Sequence, residues 1–377
     1  MNEKLSVAFV HDWLTGMRGG EKVLEALFEL YTDADLYTLI HNRGSVSTII
    51  EKRRIVTSFI DKFPFKSRHY RHYLPLFPTA IELYNLKKYD LIISTSHCVA
   101  KGIRTPPNAL HIAYIHSPMR YVWDMYDDYF NEENLNFLSR RLIPLFANYL
   151  RMWDVTSSNR VDYFVANSKH VANRIWKYFR REATIIHPPI DCELFNISHD
   201  SDDYYLIVSA LVPYKRIDLA VKVFNALDRE LFIIGDGPEK KRLQKFAKKN
   251  IKFLDWLPAR DLITYYSRCQ ALIFPGEEDF GMVPVEAQLN GRPVIAYGLG
   301  GALETILGYD GKNEGRCSGV FFTEQSEQAL LDAITQFEKL KWDCDFIHKH
   351  VLKFSKERFL EEFKKFLNEK LNEFYRI

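Results

Sequence analysis

Along the chain, short apolar runs alternate with longer stretches in which apolar residues recur every three or four positions. The first run, LSVAFV (Leu5–Val10), has strand character. A glycine-bearing turn, TGMRGG (Thr15–Gly20), follows, and then EKVLEALFEL (Glu21–Leu30) with helical spacing. LYTLI, DLIISTS and LHIAYIH repeat the strand pattern, each followed by turn or helix signals, and VDYFVANS and ATIIHPP close this half. Strands of this kind between helices predict a parallel sheet covered on both faces. The pattern breaks at PPIDCELFNISHDSDD (Pro188–Asp203), which has the composition of a linker. It then restarts with YYLIVSAL, KRIDLAVKVFNAL, LFIIGDG, EKKRLQKFAKK, IKFLDWL, ALIFP, PVIAYG and GVFFT. The end, from about Phe346 to Ile377, reads as charged amphipathic helix. The expected fold is α/β, with two Rossmann-like, doubly wound domains facing each other across a crevice. Residues 1–195 form the N-terminal domain, residues 196–355 the C-terminal domain, and a helix at 356–377 packs back toward the first.

Doubly wound sheets bind ligands outside the carboxyl ends of their strands, so the residues just past each strand matter most. The first strand ends at His11-Asp12-Trp13, with Gly16, Gly19 and Gly20 behind it. This is not a dinucleotide fingerprint. A glycine pair opening a helix either makes a tight turn or lets a ligand reach backbone N–H groups and the positive end of the helix. His116 leaves the run AYIH, ahead of Arg120 and Tyr121. After YYLIVSAL come Lys215 and Arg216, adjacent cations at a helix start, where the helix dipole disfavours them unless an anion is bound. LFIIG runs into Gly235-Asp236-Gly237-Pro238, a turn against which a ligand can lie. ALIFP leads into three acids, Glu277, Glu278 and Asp279. Pro284 suits a first helical position, which puts Glu286 in a first turn, and the amides of Gly281, Met282 and Val283 can face a phosphate. Glu277 and Asp279 read as solvated neighbours.

Composition narrows the classes. Of 377 residues 47% are hydrophobic and 27% charged, and the formal net charge is only +2, which argues against a dedicated nucleic-acid binder. Five scattered cysteines without CxxC spacing suggest neither zinc nor disulfides and fit a reducing cytoplasm. The N-terminal apolar run is too short for a signal peptide, and no stretch approaches the ~20 apolar residues of a membrane span. Asp33-Ala34-Asp35 spells a DxD pair but precedes its strand, at the wrong end of the sheet, and Asp343-Cys344-Asp345 falls in the late helical region. Neither a metal nor another cofactor is expected. Between Lys52 and Pro78, seven cations (Lys52, Arg53, Arg54, Lys62, Lys66, Arg68 and Arg71) interleave with Phe59, Phe63, Phe65, Tyr70, Tyr73 and Phe77. Such a segment suits nucleic acid, an anionic membrane surface, or an amphipathic helical pair packed on its own domain.

In order, "HDWLTGMRGGEKVLE", "YIHSPMRYVWD", "LVPYKRIDLAV", "IIGDGPE", "FLDWLP" and "EEDFGMVPVEAQLNGRPVIAYGLGGALET" resemble the motifs of the retaining GT-B glycosyltransferases of family 4. The likeness is strongest to bacterial mannosyltransferases of O-antigen, capsule and exopolysaccharide assembly. It implies a sugar nucleotide donor, GDP-mannose first and a UDP-sugar second, and a lipid-linked glycan acceptor. It implies work in the cytoplasm, at the inner face of the cytoplasmic membrane, with peripheral contact to anionic lipid and no nucleic-acid partner. Glu278 and Glu286 match the family's E-x7-E pair: Glu278 is implied to hold donor-sugar hydroxyls and Glu286 the ribose. Lys215 and Arg216 are implied to neutralise the diphosphate, and His116 to lie beside the reacting sugar. Gly19 and Gly20 are implied to approach donor phosphate and acceptor. Asp236, Gly237, Asp255, Trp256 and Leu257 are implied to line the nucleotide pocket. Many relatives carry an arginine where this chain has Ala210, which places more of the phosphate neutralisation on Lys215 and Arg216. An epimerase or a non-catalytic glycan-binding relative of the same fold are the further alternatives.

Overall fold

A computed structural model describes residues 5–66, 70–126 and 137–375. The chain divides into two compact units. The first runs to Pro189 and resumes at Lys356; the second is Ile190–Ser355.

The first unit is built on β1 (Val7–His11), β2 (Asp35–Thr38), β3 (Ile55–Thr57), β4 (Leu91–Ser96), β5 (Leu110–Ile115), β6 (Tyr163–Ala166) and β7 (Ala183–Ile185). They form one seven-stranded sheet in the order β3-β2-β1-β4-β5-β6-β7, with every pairing parallel. Successive side chains of a strand point to opposite faces. Val7 and Phe9 therefore enter one core layer with Leu91, Ile93, Leu24 and Phe28, while Ala8 and Val10 enter the other with Ile92, Ile60 and Phe77. Both faces being covered, the strands read as continuous apolar runs.

The second unit holds β8 (Tyr204–Val208), β9 (Glu230–Ile234), β10 (Ile251–Leu254), β11 (Leu272–Phe274), β12 (Val294–Tyr297) and β13 (Gly319–Phe322). Its six-stranded sheet is also parallel, in the order β10-β9-β8-β11-β12-β13. Tyr205, Ile207 and Ile273 pack on one face, and Leu206, Leu272 and Phe274 on the other. In each sheet the strand order reverses once, between β1 and β4 and between β8 and β11. Doubly wound sheets bind their ligands at such a reversal, outside the carboxyl ends of the strands.

Three segments differ from their sequence reading. The C-terminal stretch is two helices. Asp343 caps the first, Cys344–Val351, by accepting from the Phe346 amide (2.9 Å). A 3-10 turn at Leu352–Phe354 and extended Ser355 (ψ 157°) then interrupt the helical path before Lys356–Tyr375. The first of these helices belongs to the second unit. The second seats Phe359, Phe363, Phe366 and Leu367, all on one helical stripe, against Leu24 and Phe28 in the first. The linker-like segment is fastened to the second unit: Ile190 is buried, and Arg292 donates to Ser198 Oγ (3.1 Å) and the Asp200 carbonyl. Residues 52–78 are no helical pair. They comprise β3, 3-10 turns at Phe59–Lys62 and Tyr70–Leu76, and the start of a short helix at Phe77. Tyr70 and Phe77 are buried, and Arg68 lies outside the described residues. Among the described residues no helix is long and apolar enough to cross a membrane.

One consequence concerns acid stability. His111, fully buried on β5, has Nε2 2.9 Å from Ser94 Oγ and Nδ1 3.3 Å from the Arg160 carbonyl. Burial lowers its pKa from an ordinary 6.5 to about 4. The unfolded chain therefore binds this proton more readily, and the first unit should lose stability as pH falls from about 6.5 to about 4. The loss should reach ~3 kcal/mol. Denaturant midpoints measured across that window should fall, and His111→Gln should flatten the slope.

Candidate functional site

In the second unit, the loop after β8 meets the loop after β11 at the switch point. Lys215 Nζ contacts Glu278 Oε1, and both side chains are mostly buried. The approach depends on Gly276. A Cβ there would lie 2.8 Å from Lys215 Cα, closer than any side chain tolerates. The Gly301 amide donates to the Glu278 carbonyl (2.7 Å), so the Gly300-Gly301 turn after β12 fixes the acid loop from the other side. Arg216 stands at φ +52°, a left-handed conformation that an arginine adopts only when its surroundings hold it. Its guanidinium donates to Gln325 Oε1 (3.0 Å) and lies 3.4 Å from Asp218, and Gln325 donates onward to the Pro275 carbonyl (2.9 Å). Gln325 thus ties the basic loop to the end of β11.

The helix after the acid loop starts earlier than Pro284 suggests. It spans Met282–Leu289, with left-handed Gly281 as its N-cap. Pro284 fits its first turn because that amide has no intrahelical partner in any case. Glu286 therefore sits in the second turn, where the dipole gives it little, and it is only 9% exposed. The buried Tyr266 hydroxyl donates to Glu286 Oε2 (3.0 Å). Burial and the Glu286 charge push the Tyr266 pKa well up, so the hydroxyl stays protonated for this bond. Asp279, read from the sequence as solvated, is only 6% exposed; Glu277 and Glu278 are half-buried. Gly237 and exposed Asp236 follow β9, and Asp255, Trp256 and Leu257 follow β10. Trp256 is 73% exposed, and Asp255 is paired with Lys240.

In the first unit, His11 ends β1, and His97 and His116 directly follow β4 and β5. Ring centroids are 6.2 Å apart for His11 and His97, and 6.4 Å for His97 and His116. The helix Gly19–Leu30 aims its N-terminus at them. A Cβ on Gly20 would come within 3.4 Å of both His11 Cε1 and His116 Nε2, so the bare glycine lets the helix start close on both rings. Glu21 accepts from the Arg18 amide (3.0 Å) and lies 3.6 Å from His11 Nε2. Burial raises its carboxyl pKa, but the bond and charge of His11 outweigh this and hold it below the ordinary range. His11 Nδ1 is 2.7 Å from Thr95 Oγ1. Fully buried Asp12 accepts from the amides of His97, Cys98, Val99 and Ala100 at 2.7–2.9 Å, which fastens the loop that carries His97. Desolvation lowers the His97 pKa, against the pull of Asp12.

Each sheet thus gathers its own half of the nominated residues. Gly19, Gly20 and His116 meet at the first, and Lys215, Arg216, Glu278, Gly281, Met282, Val283 and Glu286 at the second. Sequence reasoning did not nominate His11, His97, Glu21, Tyr266 or Gln325. His11 and His97 both directly follow apolar strand runs, so the rule that found His116 applies to them equally. For Tyr266 and Gln325 no local signal exists. Asp35 opens β2 at the opposite edge of the sheet and is taken up by Arg54 (3.2 Å), Lys88 (2.9 Å) and Tyr89.

Comparison with known proteins agrees with this organisation. The family model described as Glycosyltransferase Family 4 matches residues 18–194, and that described as Glycosyl transferases group 1 matches residues 194–356. The uncharacterized glycosyltransferase MJ1178 of Methanocaldococcus jannaschii is 29% identical over 173 residues, 44% of this chain and 48% of that one. O-antigen chain mannosyltransferase C of Escherichia coli is 23% identical over 223 residues, 54% of this chain and 57% of that one. The chain thus spans about half the length of these curated relatives. Among solved structures, Anabaena HepE in complex with UDP superposes with a TM-score of 0.69 at 17% identity, covering 97% of this chain and 100% of that one, which shows a shared fold. With both of its sheets parallel and the two family models meeting at residue 194, the chain belongs to the GT-B glycosyltransferases, a family 4 domain followed by a group 1 domain.

Proposed function

We propose that the chain is a retaining mannosyltransferase that moves mannose from GDP-mannose onto a lipid-linked oligosaccharide or polysaccharide acceptor in cell-surface glycan assembly. The observation that carries the reading is the meeting of Lys215 and Glu278 at the switch point of the second sheet, beside the helix that starts at Met282. A cation, a carboxylate and free helix N–H groups at one strand edge suit a phosphorylated, polyhydroxylated ligand.

In this reading Glu278 accepts hydrogen bonds from donor-sugar hydroxyls, and Glu286, oriented by Tyr266, accepts from the ribose. Lys215, Arg216 and the amides after Gly281 take up charge on the departing diphosphate. The sugar C1–phosphate oxygen bond breaks as the acceptor oxygen approaches the same face. The acceptor proton passes to the leaving phosphate, so the anomeric configuration is kept without an enzyme nucleophile. His116, at the first sheet, hydrogen-bonds the sugar near the reacting carbon. Asp236, Gly237, Asp255, Trp256 and Leu257 line the base and ribose pocket, and Gly19 and Gly20 approach the phosphate and acceptor. The first unit takes the acceptor.

Mannose is favoured by the named activity of the O-antigen relative. A UDP-sugar is the second reading, favoured by the UDP held in the HepE structure of the same fold. Thermal unfolding separates them. GDP at about a hundredfold above its Kd should stabilise the protein by ~2.7 kcal/mol and raise the midpoint by several degrees, with UDP and NAD well behind. Protection by UDP alone would reverse the donor assignment. Mass spectrometry of products with a lipid-linked acceptor extract, and the anomeric configuration of the new linkage by NMR, test the transfer and its stereochemistry.

A further inference from the structure

Lys215 and Arg216 are adjacent in the chain but are met by different chemistry. Lys215 faces a carboxylate, that of Glu278. The Arg216 guanidinium is held by an uncharged group, the Gln325 side chain, at 3.0 Å from Nη1. Asp218 stands 3.4 Å from Nε, which is long for a charge-assisted bond. Among the described residues the guanidinium has no other partner. Gln325 itself is set firmly in the loop after β13. The next residue, Ser326, caps the helix Glu327–Phe337 by accepting from the Ala329 amide (3.2 Å). The Gln325 amide joins two groups of opposite kind. A guanidinium only donates and a carbonyl only accepts, so Oε1 faces Arg216 and Nε2 faces the Pro275 carbonyl (2.9 Å). A glutamate could not donate to Pro275, and a lysine could not accept from Arg216. A carboxylate in this place would also cancel the charge of Arg216. An amide holds the guanidinium between the end of β11 and the loop after β8 and leaves that charge whole.

We propose that Gln325 is a positioning residue for the donor's diphosphate: it fixes the Arg216 guanidinium through a neutral contact, so that the cation meets the terminal phosphate already placed and still charged. The proposal rests on the reading of Lys215 and Arg216 as the groups that take up the diphosphate, and it divides their work. Lys215 is tied to the acid that holds the sugar, so its charge is shared before a ligand arrives. Arg216 brings charge that no carboxylate within ordinary bonding distance has taken. It also stands at the start of the helix Ile217–Ala226, where the dipole disfavours a cation until an anion is bound. Holding it there in advance removes the cost of ordering a long side chain at the moment of binding.

Calorimetric titration of the full-length protein with GDP, GMP, UDP and UMP tests the proposal. Gln325→Glu should weaken whichever diphosphate the parent binds by about tenfold, and its affinity should fall less steeply with salt, because a charge that met the phosphate has been cancelled. The matching monophosphate lacks the terminal phosphate and should change by less than about twofold. Gln325→Met keeps the length of the side chain but leaves Arg216 charged and unheld. It should weaken the diphosphate by about fivefold and keep the parent's salt dependence. Equal weakening of diphosphate and monophosphate would show a merely structural role and overturn the assignment. Diphosphate affinities unchanged in both variants, beside a parent that binds, would overturn it as well. A parent that binds neither GDP nor UDP would overturn the donor reading itself, and the role of Gln325 with it.

Discussion

Glu278→Gln is expected to lower the rate of sugar transfer by about a thousandfold while leaving the protein folded. The substitution keeps the side chain's shape and one acceptor oxygen. It removes the charge that meets Lys215 and that would draw hydrogen bonds from the donor sugar as positive charge builds on its ring. The backbone of the loop is held independently, by the Gly301 amide on the Glu278 carbonyl (2.7 Å), so the variant should retain its loop geometry. Losing the carboxylate beside a mostly buried lysine should cost the second unit about 1–2 kcal/mol. Single-turnover kinetics should place the loss in the chemical step, with GDP protection within a few degrees of the parent. Glu286→Gln should behave differently: in the proposed reading Glu286, oriented by Tyr266, holds the donor ribose, so KM should rise more than kcat falls. Full transfer activity in Glu278→Gln would remove this residue from the reacting site.

Asp12→Ala is expected to cost the first unit about 4 kcal/mol, which lowers its unfolding midpoint by roughly 10 °C. The carboxylate is fully buried, and each oxygen takes two backbone amides: Oδ1 those of Val99 and Ala100, Oδ2 those of His97 and Cys98. Alanine strands all of these donors at the end of β4. Asparagine keeps one pair and turns an amide group toward the other, so Asp12→Asn should fall between alanine and the parent. The transition to follow is that of the first unit, since a two-unit chain need not unfold in one step. Because the same loop carries His97, sugar transfer should drop in proportion. A midpoint unchanged in the alanine variant would mean that water replaces the carboxylate at no cost.

The residues that were easiest to read are those whose signal is local. Strand type follows from apolar runs whose two faces are both buried, as with Val7 to Val10. The glycine pair before Glu21, the cations after β8 and the acids after β11 declare themselves by standing directly past such runs. Pro284 misled because proline favours a first helical position, while the left-handed Gly281 two residues before Val283 already serves as the cap. Asp279 misled because an acid beside two others reads as solvated, whereas the fold leaves it only 6% exposed. Tyr266 and Gln325 were not legible at all, since an interior hydroxyl or a bridging amide leaves no mark on its neighbours in sequence.

What the amino-acid sequence determined by itself is the alternation of strands and helices, the parallel sheets that alternation requires, and the rank of each loop residue as lying past a strand's carboxyl end. Burial pattern and turn chemistry act over a few residues, so they survive in one dimension. Only the tertiary structure decided which loops meet. Lys215 touches Glu278 because β8 and β11 are neighbours in the sheet although β9 and β10 intervene in the chain. His11, His97 and His116 converge because β1, β4 and β5 lie side by side. Strand order is set by crossovers packing over the whole sheet, a sum of many weak contacts that no single stretch of the chain encodes.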